Sequence, residues 1–452
     1  MTKRAAIILA AGQGTRMRSS LPKVLHAVGG RPMLDWSIAL AREANCEKII
    51  VVSSPATVQV EDHARAHLGE DSVAIQDPPL GTGHAVLSAK AALADFEGDV
   101  VVLYGDTPLI QVSAIEALFS ELSAGAELGV LGFEAADAGA YGRLLTDAAG
   151  NLTGIVEARE ATEEQLRISL CNSGVMAGRA DRVLALLERV TNDNAKGEYY
   201  LTDIVGFAVA DGGRCAVVTC DEHDVLGVNS RVELAEAEAA FQQRMRARLL
   251  EQGVTMTAPE TVFFSYDTEM DADVLIEPHT VFGPGVRVAK DCRIRGFCHL
   301  EGAVLEEACE VGPYARLRPG AVLARGAKIG NFVEVKNTRV GAGAKANHLA
   351  YLGDGDVGAG ANIGAGTIFC NYDGFFKHQT TVGDGAFIGS NSALVAPVAI
   401  GDGAFVASGS VITKDVENDA LAFGRARQSE KAGWGKAFRE RMSKLKRSLS
   451  QK

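Results

Sequence analysis

The residues from Leu9 to Lys23 read Leu-Ala-Ala-Gly-Gln-Gly-Thr-Arg-Met-Arg-Ser-Ser-Leu-Pro-Lys, and their types point to phosphate chemistry. Gly12 and Gly14 let the backbone turn tightly and approach a ligand without a Cβ in the way. Arg16, Arg18 and Lys23 bring three positive charges to that bare backbone. Turned amides beside cations form a cradle for a polyphosphate. The segment lacks the Gly-Lys-Ser/Thr ending of a P-loop and is not Gly-x-Gly-x-x-Gly. A plain strand and glycine turn with exposed basic residues would have the same composition, so the ligand must be specified by the rest of the chain.

Such a loop needs a strand to hold it, and Ala5-Ala6-Ile7-Ile8-Leu9 just before it reads as a short buried parallel strand. Up to about residue 228, further apolar runs (Ile49–Val52, Val100–Tyr104, Leu128–Leu131) alternate with segments of helical spacing, among them Pro32–Ala44 and Gly83–Phe96. The alternation predicts a Rossmann-like α/β domain with a mainly parallel sheet and ligands at the carboxyl ends of its strands. From Ser230 to Gln252 there is no Gly or Pro, with acidic residues early and basic residues late. That charge order complements the helix dipole and predicts one long linker helix, stopped by Gly253 and serving as a connecting arm.

Beyond residue 270 an apolar residue recurs every six positions. Val382, Ile388, Leu394, Ile400, Val406 and Ile412 keep this step without a slip, as do Val311, Leu317, Leu323, Ile329 and Val335. Val286, Cys292, Cys298 and Val304 form a weaker third run. This period is the signature of a parallel β-helix, in which three hexads make one triangular coil and aliphatic side chains stack from coil to coil. A β-sandwich would instead show period-2 alternation. Residues 335–357 slip out of step and 369–381 read as an inserted loop, the kind of place where a rigid solenoid carries binding groups.

The chain has 452 residues, 45 basic and 57 acidic, for a net charge of −12. That length implies more than one domain, and the acidic balance argues against general nucleic-acid binding. No apolar run approaches the roughly 20 residues of a membrane span, and no signal peptide is expected. The eight cysteines contain no Cys-x-x-Cys pair and read as reduced structural thiols of a cytoplasmic protein. The tail from Lys431, with Trp434 and many Lys and Arg, reads as a solvated basic end.

The Leu-Ala-Ala-Gly-x-Gly-Thr-Arg-Met…Pro-Lys segment resembles the signature of sugar-phosphate nucleotidyltransferases. Followed by Asn-Phe-Val-Glu-Val-Lys, His-Leu-Ala-Tyr-Leu-Gly-Asp and Asn-Ile-Gly-Ala-Gly-Thr, it is similar to the bacterial bifunctional N-acetylglucosamine-1-phosphate uridyltransferase/glucosamine-1-phosphate acetyltransferase family. The resemblance covers almost the whole chain. It implies a uridyltransferase domain over 1–229, the linker helix over 230–252, and a left-handed β-helix acetyltransferase domain with a tail over 253–452. The implied reactions are acetyl transfer from acetyl-CoA to glucosamine 1-phosphate, then uridylyl transfer from UTP with release of pyrophosphate. In the first domain it implies that Leu9, Ala10, Ala11 and Gly12 line the nucleotide site, with Arg16 and Lys23 neutralising the triphosphate. Gln76, Gly81 and Thr82 would read the uracil. Asp106, in Tyr104-Gly105-Asp106, and Asn229 would hold Mg2+, an oxygen donor pair that suits this ion. Gly142, Glu157 and Asn172 would hold the N-acetylglucosamine.

In the second domain the resemblance implies that His348 takes the proton from the glucosamine amine. Glu334 would orient it or help the amine lose its proton. Arg318 and Lys336 would grip the sugar phosphate, and Tyr351, Asn362, Asn371 and Tyr372 would contact the sugar. Ala365, Ser390, Ser408 and Arg425 would meet acetyl-CoA, with Asn371 and Tyr372 at its edge and Ser390 also stabilising the oxyanion. Relatives often carry Ala where this chain has Ser408, a change a backbone contact survives. The β-helix also implies a homotrimer with acetyltransferase sites between subunits. Two rival readings remain. A β-helix serving only as scaffold has no reason to keep Arg318, Lys336, His348, Tyr351 and Asn371 together, and a metal-dependent hydratase needs histidines at coil spacing that His279, His299, His348 and His378 do not supply.

Overall fold

The computed structural model describes residues 2–194 and 196–450. It divides into two compact units, Met1–Leu249 with Phe264–Tyr266, and Leu250–Phe263 with Asp267–Lys452.

The main sheet of the first unit runs, in spatial order, through Cys215–Cys220, Leu128–Glu134, Leu170–Arg179, Asp99–Tyr104, Arg4–Leu9, Lys48–Ser53 and Val73–Ile75. Its pairings are parallel except along Leu170–Arg179, which is antiparallel to both neighbours. The strands are continuously apolar because both faces are covered. Ala5 and Ile7 enter the core on one face, while Ala6 and Ile8 enter the core on the other. A hairpin, Arg143–Thr146 with Leu152–Val156, branches from this sheet. The helical segment expected over Gly83–Phe96 is a helix only over Thr82–Ser88, followed by a 3-10 turn at Ala91–Leu93.

The long helix forms over Arg231–Glu251. It is not a free arm: Ala237, Phe241, Gln242, Met245 and Leu249 are buried, and its residues to Leu249 group with the first unit. The Gln242 side chain donates to the Phe264 carbonyl at 2.7 Å and accepts from the Phe264 amide at 2.8 Å. That two-way bond satisfies a buried amide with backbone the chain brings back after the helix.

The second unit is the left-handed parallel β-helix. One face stacks ten strands from Thr255–Met256 to Leu421–Ala422, and three of them precede Glu310–Val311. The two unbroken hexad runs point inward, with Leu317, Leu323, Ile388 and Leu394 fully buried. The weaker run fails at its end: Ala303 and Leu305 are buried while Val304 is exposed. The slip over 335–357 has a structural cause. Glu334–Val340 and Tyr351–Val357 run unbroken around a corner of the prism and pair along their length. Thr338 serves as that corner's turn, its hydroxyl donating to the Lys336 carbonyl at 2.8 Å and accepting from the Gly355 amide at 3.1 Å. The insertion leaves the coil between the strands Ile368–Cys370 and Thr380–Val382. Beyond the prism the basic tail forms an exposed helix, Trp434–Leu449. The eight cysteines are free, and among the described residues no helix is long and apolar enough to cross a membrane.

Candidate active sites

In the first unit, the carboxyl ends of Arg4–Leu9 and Asp99–Tyr104 open into a cleft of about 310 Å3, lined by Leu9, Ala10, Ala11, Gly12, Lys23, Gln76, Gly81, Thr82, Tyr104 and Asp106. Pro79 and Glu198 line it too, and neither was picked out from sequence. Gly14 has φ +61, and a Cβ there would lie 2.5 Å from Lys23 Cβ, so the turn that aims Lys23 requires glycine. Lys23 Nζ makes an ion pair with Asp106 and donates to Asn229 Oδ1 at 2.9 Å. The segment bearing Asn229 is fixed by the Val228 amide, which donates to the Asp106 carbonyl at 2.9 Å. Two oxygen donors from distant parts of the chain therefore converge on one cation. Gln76 is buried, its amide donating to the Gly81 carbonyl at 2.9 Å. Gly81 lies so close to Tyr199 that a Cβ would sit 2.7 Å from its carbonyl oxygen.

Gly142 and Asn172 meet where the Asn172 amide donates to the Gly142 carbonyl at 2.8 Å, and the space beside Gly142 is bounded by Glu157 Oε1. Burial raises the Glu157 carboxyl above its ordinary value and also raises the Tyr104 hydroxyl. Gly105 is buried beneath the cleft, and Arg16 is exposed on the short turn Thr15–Met17.

In the second unit, the corner bearing the long strands gathers a polar network. Arg318 donates to Glu334 at 2.8 Å, and Glu334 pairs in register with Tyr351. Lys336 lies 3.1 Å from Asp354, which also accepts from Asn337 at 2.9 Å and from Asn371 at 2.5 Å. Asp354 thus joins two expected residues and was not foreseen, because its role depends on the unbroken corner. Burial raises its pKa, but the bonds from Asn337, Lys336 and Asn371 outweigh this and hold it below the usual range. Lys377 of the inserted loop lies against Lys336. That contact, with Asp354, raises Lys336, while Lys377 is lowered by the contact and by the Lys336 charge.

The orienting partner of His348 differs from the expectation. Its Nδ1 lies 2.7 Å from Asn331 Oδ1, whereas Glu334 is engaged by Arg318 and, at 3.9 Å, by Arg316. Asn331 and His348 are adjacent rungs of one column. Because Lys345, Asn362, Phe387 and Phe405 stack in register, the residues three positions on (His348, Ala365, Ser390 and Ser408) stand one above another. Strand pairing also aligns Leu421 with Phe405, which sets Gly424 and its neighbour Arg425 at the top of the column. Asn362 sits three residues before Ala365 on the same coil. Tyr372 is exposed and turns its hydroxyl to the Gly374 carbonyl at 2.6 Å.

Comparison with known proteins matches residues 6–168 to the MobA-like NTP transferase domain and 379–414 to the bacterial transferase hexapeptide (six repeats). The bifunctional protein GlmU of Hyphomonas neptunium is 64% identical over 97% of this chain and 95% of its own length. Those of Caulobacter vibrioides and Sphingopyxis alaskensis are 57% and 54% identical over 96% and 99% of this chain, and over 94% and 99% of their own lengths. The chain belongs to the GlmU family. It is a bifunctional transferase, with uridyltransferase and glucosamine-1-phosphate acetyltransferase activities. The cleft lies within the part of the chain that matches the NTP transferase domain, apart from Glu198 and Asn229, and of the column only the rungs at Ser390 and Ser408 lie in the hexapeptide match.

Proposed function

We propose that the cleft binds UTP and N-acetylglucosamine 1-phosphate, and that the column with the polar corner binds acetyl-CoA and glucosamine 1-phosphate. Acetyl transfer comes first, so the second unit supplies the acceptor used by the first. The observation that carries this reading is the column above His348. Its four rungs to Gly424 rise about 19 Å at roughly 4.8 Å per coil, a length suited to an extended pantetheine arm with its phosphates at Arg425.

In the cleft, Gln76, Gly81 and Thr82 bind the uracil, Leu9–Gly12 pack against the nucleotide, and Arg16 and Lys23 neutralise the triphosphate. Gly142, Glu157 and Asn172 hold the sugar. The oxygens of Asp106 and Asn229 already converge on the Lys23 ammonium, so this donor set fits a divalent cation, and we assign it Mg2+. Bound there, Mg2+ offsets charge on the phosphates. The sugar-phosphate oxygen attacks the α-phosphorus of UTP in line and the bond to pyrophosphate breaks, with the protein supplying orientation and positive charge.

At the corner, Arg318 and Lys336 hold the sugar phosphate, and Tyr351, Asn362 and Asn371 bind the sugar. Asn331 accepts from Nδ1–H of His348, which leaves Nε2 with its lone pair facing outward. Nε2 takes the proton as the amine nitrogen bonds to the acetyl carbon. The carbon–sulfur bond of acetyl-CoA then breaks, Ser390 donates to the developing oxyanion, and the proton passes to the leaving thiolate. Ala365, Ser408 and Arg425 hold the cofactor, with Tyr372 at its edge. The working form is a cytoplasmic homotrimer, in which the exposed Phe375 and Phe376 of the inserted loop pack against a neighbouring copy.

The test supplies glucosamine 1-phosphate, acetyl-CoA, UTP and Mg2+ together and reads thiol and pyrophosphate. Because the first step makes the second acceptor, each variant is also tested with N-acetylglucosamine 1-phosphate added. His348→Ala then abolishes thiol alone and Asp106→Ala pyrophosphate alone. Loss of both signals in either folded variant overturns the two-site assignment.

A further inference from the structure

Away from the cleft, three side chains of the first unit converge in a way neither reaction uses. Asp35 stands in the first turn of the helix Met33–Glu43, and His63 and His67 stand four residues apart on the helix Val58–Leu68. Four residues is one helical turn, so both imidazoles lie on one face. Their rings stack with centroids 4.2 Å apart, and each of the three residues offers a ligand atom within 4.8 Å of the other two.

The details favour metal ligation over a simple ion pair. His67 Nδ1 lies 2.8 Å from the His63 carbonyl oxygen, which can only accept, so Nδ1 carries the hydrogen and Nε2 keeps its lone pair. A backbone bond of this kind is how proteins fix the tautomer of a metal-binding histidine. The carbonyl of His67 is itself held by Arg42 Nη2 at 2.9 Å, tying the end of one helix to the other. His63 Nε2 meets Asp35 Oδ1 at 2.6 Å, so a cation would replace the one proton they share. A cavity of about 210 Å3 opens beside Asp35 and His67, bounded by Ile38, Arg42 and Tyr266, with room for water as a further ligand.

We propose that Asp35, His63 and His67 form a binding site for a divalent transition-metal cation, of which zinc is the natural occupant. Two imidazoles and one carboxylate with a position left for water form a donor set that zinc takes readily. The cation clamps the two helices that flank the strand Lys48–Ser53. Just past that strand, Ser54 Oγ donates to the Ala11 carbonyl at 3.1 Å, so the clamp supports the phosphate loop without touching substrate. Ligation through Nε2 leaves the His63 hydrogen on Nδ1.

The full-length protein, stripped with chelator and dialysed, is titrated with Zn2+ and followed by calorimetry and thermal melting. One zinc per chain is expected, with a rise in melting temperature. At free zinc a hundredfold above Kd, the folded-to-unfolded ratio of this unit rises about 100-fold. Co2+ bound to the same groups gives visible d–d absorption, whereas Mg2+ gives no response at this site. His67→Gln, a change on the exposed surface, and the double variant His63→Ala/His67→Ala each remove that zinc and the cobalt absorption, while pyrophosphate release in Mg2+ stays at the parent level. Full zinc stoichiometry in folded His67→Gln protein, or no zinc bound by the parent chain, overturns the proposal. If the double variant fails to fold, the single variant decides.

Discussion

At the scale of single residues, both candidate sites rest on polar groups held in place by hydrogen-bond partners. Replacing His348 by Ala is expected to lower acetyl transfer by about 10²–10⁴-fold, the usual worth of a general base, and leave uridylyl transfer unchanged in a pyrophosphate assay. Asn331→Ala removes the acceptor of Nδ1–H, so a smaller loss is expected together with an altered pH–rate profile. Asp354 sets the acid limit of the corner. Its carboxyl is held below the usual range when folded, so the stability it contributes is complete above the unfolded value of about 3.9. That contribution is lost as pH falls through the lower folded value. Thermal melting of Asp354→Asn protein should therefore show a weaker dependence on pH below about 4 than the parent.

At the scale of elements, the two glycines of the phosphate loop do different things. A Cβ at Gly12 meets nothing within 4 Å, while one at Gly14 collides with Lys23. Gly14→Ala should cut uridylyl transfer sharply and leave acetyl transfer intact, since it displaces the residue that joins Asp106 and Asn229. In the β-helix, Leu394→Ala opens a hole in a fully buried stack and should cost about 2–5 kcal/mol by denaturant melting. These elements differ in how legible they were. The hexads and the strand before the phosphate loop declare themselves through period and continuous apolarity. Val304 was misplaced because the coil containing Leu300 and Leu305 steps by five residues, and a pattern counted in sixes cannot see that. The antiparallel strand Leu170–Arg179 looks apolar like its parallel neighbours, so its direction was invisible. Asp354 and Asn331 were missed for a related reason: each gains its meaning from the residue one coil away. The long helix read correctly as a helix but not as a packed one, because its buried contacts include the returning segment Phe264–Tyr266.

At the scale of the whole molecule, the chain forms two compact units, and the proposed function gives each its own reaction. Added N-acetylglucosamine 1-phosphate should restore pyrophosphate release in His348→Ala protein to the parent rate, measured in the same vessel. The proposed trimer is checked by sedimentation, where a monomer with full acetyltransferase activity would exclude sites shared between copies. Phe375→Ser/Phe376→Ser should weaken association, read from the same sedimentation profile. A solenoid grows in whole coils, so its rungs are graduations on a ruler whose unit is about 4.8 Å. Splicing one extra coil between Ser390 and Ser408 would leave the reacting end untouched and move Arg425 away by one graduation. A thioester carrier of fixed length would then be gripped at one end only, and a longer one would fit. On the proposed reading, carrier length is counted in coils.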